Sequence, residues 1–284
     1  MLNTHRIDCL RRIHGDDRSL DRIQAHYDLE VRLAQRLREA PKHDRRILYT
    51  QVYDELFRNI PDHPMRTRTD AVRRASIANT VKILKRFLRA DMTFLEVGAG
   101  DCRLSLAVSG LVRNVVAVDV TAELVDISTF PQNFALYVSD GTSIPVPASS
   151  VDFVFSNALM EHVHPDDAIE QLHNIAAALK PGGLYYCITP NRITGPHDVS
   201  AYFDEEPRGF HLKEYSFSDL NSLFKSAGFK SVSFVVAGRG HYVGRLPHSL
   251  AILAENVAAN LPRTFRMTNL GVRVMLAIRA LAQR

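Results

Sequence analysis

An alternation of short apolar runs with longer amphipathic runs, between residues 93 and 243, constrains the fold of this 284-residue chain more than any other feature. Apolar residues at every second position predict strands, and those at every third or fourth position predict helices. Strands that alternate with helices form a mostly parallel sheet with helices on both faces, which is an α/β fold. We expect strands at 93–97, 114–118, 134–138, 151–156 and 184–189, and a closing hairpin at 231–236 and 241–243.

The same periodicity predicts the helices and the division of the chain. Between the strands, helices are expected from the turn after residue 97 to residue 108, and at 122–128, 166–179 and 218–227. Before the first strand, helices are expected at 17–40, 44–58 and 70–88. The chain therefore divides into an N-terminal helical extension at 1–68, an α/β domain at 69–244 and a basic helical tail at 245–284.

Composition and the N-terminal segment indicate the cellular compartment. The three cysteines, Cys9, Cys102 and Cys187, stand far apart, so neither a disulfide framework nor a zinc cage is predicted. The first 17 residues carry charges throughout and lack the apolar core of a secretory signal. No apolar run approaches the roughly 20 residues that a membrane-spanning helix needs. We expect a cytoplasmic protein.

Positive charge is concentrated in the tail. Residues 245–284 contain six Arg and one Glu, a net charge of +5, whereas the whole chain carries +4. A nucleic-acid binder more often spreads its basic residues through the domain that reads the nucleic acid, so a nucleic-acid partner is disfavoured.

Helical spacing in the tail allows two interpretations. Leu270, Val274, Ile278 and Leu281 recur as on one helix face, with Arg273, Arg279 and Arg284 at polar positions. Such a helix could lie on the inner membrane surface, and a chain ending at Gly244 would then no longer sediment with anionic vesicles. Alternatively it packs on the domain or on a second subunit of a homodimer. The small residues Ala277, Ala280 and Ala282 favour packing.

The most specific motif is Glu-Val-Gly-Ala-Gly-Asp-Cys at 96–102, which ends a strand and opens a helix. Gly98 and Gly100 can take positive φ and let the backbone approach a ligand closely. A dinucleotide fingerprint would need Gly or Ala at Arg103, so that alternative fits poorly. An acidic residue followed by GxGxG resembles motif I of the class I methyltransferases that depend on S-adenosylmethionine (SAM), with Cys102 at the third glycine position.

Further features follow in the order of that family. Asp119 ends the second strand, where the resemblance implies hydrogen bonds to both ribose hydroxyls. Asp140 and Gly141 follow the third strand, where it implies contacts to the adenine amino group and ring edge. Lys-Pro-Gly-Gly at 180–183 resembles the turn before strand five. Each Asp could instead be a helix cap or a turn residue.

The resemblance covers about residues 70–240 and is closest to small-molecule methyltransferases that include the quinone-biosynthesis enzymes. It implies a Rossmann-like sheet of seven strands, SAM as the cofactor, and a SAM-dependent methyltransferase domain at 69–244. The implied cofactor contacts are Glu96, Gly98, Ala99, Gly100, Asp119, Val120, Asp140, Gly141 and Asn157.

The segment after the fourth strand is where the methyl acceptor usually meets the cofactor in similar enzymes. It lacks the Asn/Asp-Pro-Pro-Tyr/Phe motif that similar enzymes use for base amines, which again disfavours nucleic acid. Glu161-His162 resembles the end of a metal-binding segment in the ubiquinone O-methyltransferases, but Ala158 replaces the other Glu of that segment. A hard cation needs several oxygen ligands, so we predict no metal requirement.

Two histidines are candidate catalytic residues. His162 could act as a general base, because imidazole titrates near neutrality, or it could pack against the cofactor or cap the next helix. His211 begins His-Leu-Lys-Glu-Tyr at 211–215, which resembles a stretch common before the next helix in the family. It could contact substrate or, like Glu214, be structural.

The polar loop after the fifth strand supplies candidate substrate contacts, because loops at strand carboxyl ends commonly touch substrate. An Arg there could bind carboxylate or phosphate, or simply be exposed to solvent. The candidates are Asn191, Arg192 and His197.

The resemblance and these residues together predict O-methylation of a small molecule or of a glycan or lipid-linked intermediate. An RNA or protein methyltransferase, suggested by the sequence pI of about 9.0, is an alternative. A SAM-binding partner subunit without activity is another. Tyr49 and Tyr53 share one face of an N-terminal helix. That helix either closes over the cofactor, as in similar enzymes, or only packs on the sheet edge.

Overall fold

The structure is a computed structural model that describes residues 4–67, 69–122, 125–262, 266 and 277–284. Four helices lie in the described part of the N-terminal extension: α1 Thr4–His14, α2 Leu20–Glu39, α3 Lys42–Asn59 and α4 Pro64–Thr67. Helix α2 begins where the Ser19 side chain accepts the Arg22 N–H, and it ends before Pro41. The helices predicted at 17–40 and 44–58 are therefore present.

The strands are β1 Thr93–Val97, β2 Asn114–Asp119, β3 Phe134–Val138, β4 Val151–Asn157, β5 Leu179–Pro190, β6 Ser231–Gly238, β7 His241–Pro247 and β8 Ala277–Gln283. They form one sheet in the order β3-β2-β1-β4-β5-β8-β6-β7. Strands β1 to β5 are parallel to their neighbours among themselves, and β8 runs antiparallel to both β5 and β6. The predicted hairpin is present as β6 and β7.

The helices of the sheet region are α5 Asp70–Leu84, α6 Arg103–Ser109, α7 Pro165–Ala178, α8 Phe217–Ser226 and α9 His248–Ala259. They cover both faces of the sheet. Because successive residues of a strand point to opposite faces, each strand contributes side chains to two cores. Leu95 and Cys187 pack with residues of α7, α8 and α9 in one core. Phe94 and Tyr186 pack with residues of α5 and α6 in the other. The prediction of a mostly parallel α/β sheet is confirmed, with eight strands among the described residues rather than seven.

The eighth strand corrects the prediction of a helical tail at its C-terminal end. Residues 277–283 form β8, inserted between β5 and β6, so Ile278 and Leu281 are buried in the sheet. They face opposite cores, which is the period of a strand and not of a helix. Leu270, Arg273 and Val274 lie outside the described residues.

Ile278 and Leu281 contact protein, so these two residues are not available to the apolar membrane face predicted there. A chain ending at Gly244 would lose an internal strand, so it cannot test membrane contact. Helix α9 does agree with a helix early in the tail. None of the helices in the described ranges is both long and apolar enough to cross a bilayer.

Two smaller predictions also change. The helix expected at 122–128 is wrong for the described residues of that range, where only a single 3-10 turn, Ile127–Thr129, is capped by Asp126. Strand β5 begins five residues earlier than expected, at Leu179. Residues 180–183 then interrupt its pairing with β4, and Gly182 takes a φ of +81°.

Candidate functional site

A cavity of about 50 Å³ opens at the carboxyl ends of β1, β2, β3 and β4. This is where an open parallel sheet binds its ligand. Four of the predicted cofactor contacts line it together with residues of other segments. The lining includes Gly98, Asp119, Val120, Gly141, Leu159 and Gln171.

The turn after β1 can approach a ligand because Gly98 carries no side chain. Its φ is +74°, and a Cβ there would lie 3.0 Å from Leu159 Cδ1. The Gly100 N–H donates to Asp119 Oδ2 at 2.7 Å, and the Thr121 N–H donates to Oδ1 at 3.2 Å. Asp119 therefore ties the turn to the end of β2, and burial raises its pKa. Each of its oxygens retains a lone pair for a ligand.

Glu96 lies behind this turn rather than among the cavity-lining residues. Its carboxyl group accepts the Ser105 hydroxyl at 2.5 Å, which connects β1 to α6. Burial raises the pKa of Glu96 to about 8. Ala99 is also buried, and its N–H donates to the Val118 carbonyl at 3.2 Å. Contacts of these two residues to the cofactor stay predictions.

Asp140 organises the turn after β3. Its Oδ1 accepts the Thr142 and Ser143 N–H groups at 2.9 and 2.8 Å, and its Oδ2 accepts the Ser143 hydroxyl at 2.9 Å. These bonds are those of a turn residue, the alternative that the sequence left open. They place Gly141 at the cavity, where the Gln171 Nε2–H donates to its carbonyl at 2.6 Å.

Helix α3 lies over this edge of the cavity. A Cβ at Gly141 would lie 3.0 Å from the Tyr49 ring, so the ring rests directly on the glycine. The Thr50 hydroxyl, in the same helix, donates to the Val120 carbonyl at 3.0 Å. The helix therefore covers the ends of β2 and β3 and does more than pack on the edge of the sheet.

A buried ion pair holds α3 in this place. The Arg45 guanidinium donates two hydrogen bonds to the Asp167 carboxylate, both at 2.7 Å. The Tyr49 hydroxyl donates to the same carboxylate at 2.9 Å and accepts the His164 N–H at 2.9 Å. Both charged groups are almost fully buried, so their geometry is held tightly.

The two candidate catalytic histidines lie next to each other. The rings of His162 and His211 lie 4.9 Å apart at 81°. His162 Nδ1 is 3.0 Å from the Phe210 carbonyl oxygen, and His211 Nδ1 is 2.7 Å from Glu214 Oε1. Residues 49 positions apart in sequence therefore form one polar cluster, as the sequence could not have specified.

Electrostatics gives the two rings different charges. Burial, together with the nearby charge of His211, lowers the pKa of His162 to about 3. Burial would also lower the pKa of His211, but the hydrogen bond that its ring donates to Glu214 and the carboxylates of Glu161 and Asp198 raise the pKa to about 9. At neutral pH, His162 is a neutral ring and His211 is an imidazolium.

The neutral His162 ring has one defined tautomer. A carbonyl oxygen can only accept, so the proton of the ring is on Nδ1 and Nε2 carries a lone pair. His162 can therefore accept a proton, whereas the protonated His211 can only donate.

Metal binding at these residues must compete with protons already in place. Ligand atoms of Glu161, His162 and His211 lie within 4.8 Å of one another. His211 supplies the internal cation of this cluster, and the Thr189 hydroxyl donates to Glu161 at 2.9 Å. An added cation would first have to displace the His211 proton.

A second cluster, His26, Glu30 and His63, also brings ligand atoms within 4.8 Å. The Arg18 guanidinium donates to His26 Nδ1 at 3.1 Å, and the Met65 N–H donates to His63 Nδ1 at 3.2 Å. Both rings therefore have their proton on Nε2, and burial lowers the pKa of His63 to about 4. His26 Nε2 lies 2.8 Å from Glu30 Oε2, so this ring presents a proton there rather than a lone pair.

The three candidate substrate contacts have unequal surroundings. Asn191 is fully buried and accepts the Ile193 N–H at 3.0 Å. Arg192 has an exposed side chain. His197 Nε2 lies 3.0 Å from the Thr194 hydroxyl, and the backbone N–H of His197 donates to Glu214 Oε1 at 2.7 Å. Asn157, a predicted cofactor contact, is exposed at the end of β4. All four roles stay predictions.

Sequence reasoning placed Tyr53 on the helix face that it shares with Tyr49, but it missed Gln171. The Tyr53 ring lies 4.8 Å from Phe210 and 6.2 Å from His162, one turn along α3 from Tyr49. Gln171 lines the cavity, and among the described residues nothing hydrogen-bonds its buried Oε1. A glutamine in an amphipathic helix gives no sequence signal of a binding role.

Comparison with known proteins supports the family that the sequence motifs predicted. Residues 69–233, more than half of the chain, match the family described as Methyltransferase domain. A Mycolicibacterium smegmatis protein named "Probable S-adenosylmethionine-dependent methyltransferase" is 27% identical over 142 residues. That alignment covers 50% of this chain and 53% of the relative, so this chain spans about half the length of that relative.

Two solved structures have the same fold. The Burkholderia thailandensis 1,6-didemethyltoxoflavin-N1-methyltransferase, with 1,6-didemethyltoxoflavin and S-adenosylhomocysteine bound, aligns with a TM-score of 0.54 at 16% identity. The alignment covers 86% of this chain and 91% of that one. A Haloferax volcanii complex of a methyltransferase with the Trm112 methyltransferase activator aligns with a TM-score of 0.54 at 15% identity, over 74% and 90% of the two chains. At these identities the likeness is one of fold.

Proposed function

Since this chain belongs to the class I SAM-dependent methyltransferases, we propose that it methylates a hydroxyl group of a small molecule or of a glycan or lipid-linked intermediate. The observation that carries the O-methylation proposal is the tautomer of His162, which leaves a lone pair on Nε2 of a residue three positions after the cavity-lining Leu159. A hydroxyl acceptor benefits from a base, whereas an amine, thiol or phenolate needs less help.

The residues around the cavity fit SAM. The methionine end would lie at the Gly98–Gly100 turn and the ribose hydroxyls on Asp119, with the adenine ring near Gly141. The amino group of adenine is a donor, and Gln171 Oε1 is a buried acceptor without a partner in the described part of the chain. SAM supplies an electrophilic methyl group on a sulfonium, so the protein mainly has to bind, orient and exclude water.

His162 would take the hydroxyl proton at Nε2. With a pKa near 3 it is neutral at any physiological pH, so it accepts the proton only as the new carbon–oxygen bond forms. His211 would hold its proton throughout and stabilise negative charge nearby. The exposed Arg192 and the polar residues Asn191 and His197 would contact the rest of the acceptor.

The N-terminal extension would act as a lid. Helix α3 covers the cavity through Tyr49 and Thr50 and brings Tyr53 next to His162. Closure of such a helix would exclude water from the reacting groups and strengthen the electrostatic interactions among them. The lid, residues 1–68, would thus hold the acceptor between itself and the methyltransferase domain at 69–244.

Mass spectrometry with a deuterium-labelled methyl donor tests the function directly. We expect cell extract incubated with the protein and SAM bearing a CD3 group to yield one labelled small molecule, glycan or lipid whose label fragments as an O-methyl group. Label on nitrogen or carbon would contradict O-methylation. Label in the RNA or protein fraction would favour a macromolecular acceptor, and SAM binding without any labelled product would favour a partner subunit.

We also propose that turnover needs no metal. Activity is expected to persist within twofold after dialysis against EDTA, because His211 already supplies positive charge to the Glu161 cluster. The measurement is the initial rate before and after chelation, with magnesium added back to a third sample. Loss of activity that magnesium restores would show that the cluster binds a metal.

A further inference from the structure

Residue Phe210 is held by its backbone on both sides. Its N–H donates to Glu30 Oε1 at 2.8 Å, and its carbonyl accepts His162 Nδ1–H at 3.0 Å. Glu30 belongs to α2 in the N-terminal extension, 180 positions away in sequence. Two hydrogen bonds, made by the backbone of Phe210, therefore connect the Glu30 carboxylate to His162, the proposed base.

Glu30 itself has little freedom. It is 4% exposed, and its Oε2 lies 2.8 Å from His26 Nε2. Because Arg18 donates to Nδ1 of His26, the proton of the neutral ring is on Nε2 and faces Glu30. The contacts run from Arg18 through His26 to Glu30, and then through Phe210 to His162.

The backbone at Gly209, next to Phe210, is in close contact with the Glu30 carboxylate. A Cβ at Gly209 would lie 2.4 Å from Glu30 Oε1, so only glycine lets the carboxylate come this close. Helix α2 also holds the same backbone through Arg38, which donates to the carbonyls of Arg208 at 2.7 Å and Gly209 at 3.0 Å. Helix α2 thus holds the amide side of Phe210, and the Leu212 N–H donates to the Phe210 carbonyl at 2.9 Å.

We propose that Glu30 is a positioning residue, which holds Phe210 so that its carbonyl keeps His162 in the Nδ1–H tautomer with Nε2 free. Without this restraint the Phe210 carbonyl could move away, and His162 would exchange between tautomers as a free imidazole does. The effect on methyl transfer rests on the proposed function, whereas the effect on the tautomer does not.

Nitrogen-15 NMR of the His162 ring tests the proposal without any acceptor. In the unaltered protein we expect a protonated, pyrrole-type Nδ1 and an unprotonated, pyridine-type Nε2. Glu30→Ala should shift both resonances towards the average of two exchanging tautomers. Glu30→Gln keeps an oxygen that can accept from Phe210 and should preserve the original pattern.

Two further variants complete the design. Glu30→Asp keeps the charge beside His26 but withdraws the carboxylate from Phe210, so it should behave like Glu30→Ala and replaces it if that variant does not fold. Tyr27→Phe is the matched control, because Tyr27 also lies on α2 and its hydroxyl donates to Asp204 without contacting Phe210. It should leave the His162 spectrum unchanged.

An unaltered His162 spectrum in folded Glu30→Ala or Glu30→Asp would overturn the proposal, as would an equal change in Tyr27→Phe. Once an acceptor is known, kcat should fall about tenfold or more in the variants that alter the tautomer, with KM for SAM unchanged. A changed tautomer with undiminished kcat would support the positioning role but contradict His162 as the base.

Discussion

A chain that ends at residue 276 is expected not to fold, because it lacks β8. This strand fills the space between β5 and β6 and pairs with both. Its removal would leave two internal strand edges without hydrogen-bond partners and would expose both cores, which Ile278 and Leu281 help to close. Each unpaired buried backbone group costs about 1–3 kcal/mol, so several such groups exceed the 5–15 kcal/mol by which a typical domain is stable.

Circular dichroism and thermal unfolding measure this outcome. The matched control is a chain that begins at residue 15 and lacks α1, whose Ile7 and Leu10 pack on α2 and a loop and not on the sheet. We expect the control to unfold cooperatively and the C-terminal truncation to be insoluble or without a transition. A cooperative transition of native amplitude in the truncated chain would show that β8 is dispensable.

Asp119→Ala is expected to weaken SAM binding by about 1.5–3 kcal/mol, or roughly 10- to 150-fold in Kd, the scale of hydrogen bonds that involve a charged group. Two effects contribute. The ribose hydroxyls would lose their acceptor, and the Gly98–Gly100 turn would lose the bond from Gly100 to Asp119 Oδ2 at 2.7 Å. Titration calorimetry with SAM gives the Kd directly.

The control for this variant is Asp126→Ala, which removes another carboxylate of the same loop. The Asp126 carboxylate accepts the Ser128 N–H at 3.0 Å and is not among the residues that line the cavity. SAM affinity should be unchanged there, and both variants should melt as single transitions. Equal affinities in Asp119→Ala and the unaltered protein would remove Asp119 from the cofactor site.

Much of the fold could be predicted from local pattern. Strands β1 and β3 begin and end where their apolar runs do, because each run is long enough for one buried strand and is bounded by turn residues. The glycine turn after β1 and the carboxylate that ends β2 were recognisable for the same reason, since a turn needs particular residue types at particular positions. The class of cofactor could therefore be predicted from a few short segments.

The closing strand could not be predicted in this way. Residues 277–283, Ala-Ile-Arg-Ala-Leu-Ala-Gln, have high helix propensity, and Ile278 and Leu281 have helical spacing. Propensity is a weak preference that tertiary context overrides, and here two strand edges supply hydrogen-bond partners along β8. Whether those edges are available depends on how β5 and β6 are arranged, which no local window contains.

By itself, then, the sequence determined the order of strands β1 to β7, the glycine turn after β1 and the family, because these depend on residues that are neighbours along the chain. Only the tertiary structure decided the eighth strand, the cover that α3 forms over the cavity, and the charges of the two histidines. A pKa and a tautomer depend on groups that lie within a few ångströms in space, and for His162 those groups are Phe210 and His211. Chain folding brings them together, and spacing in the sequence does not encode their distance.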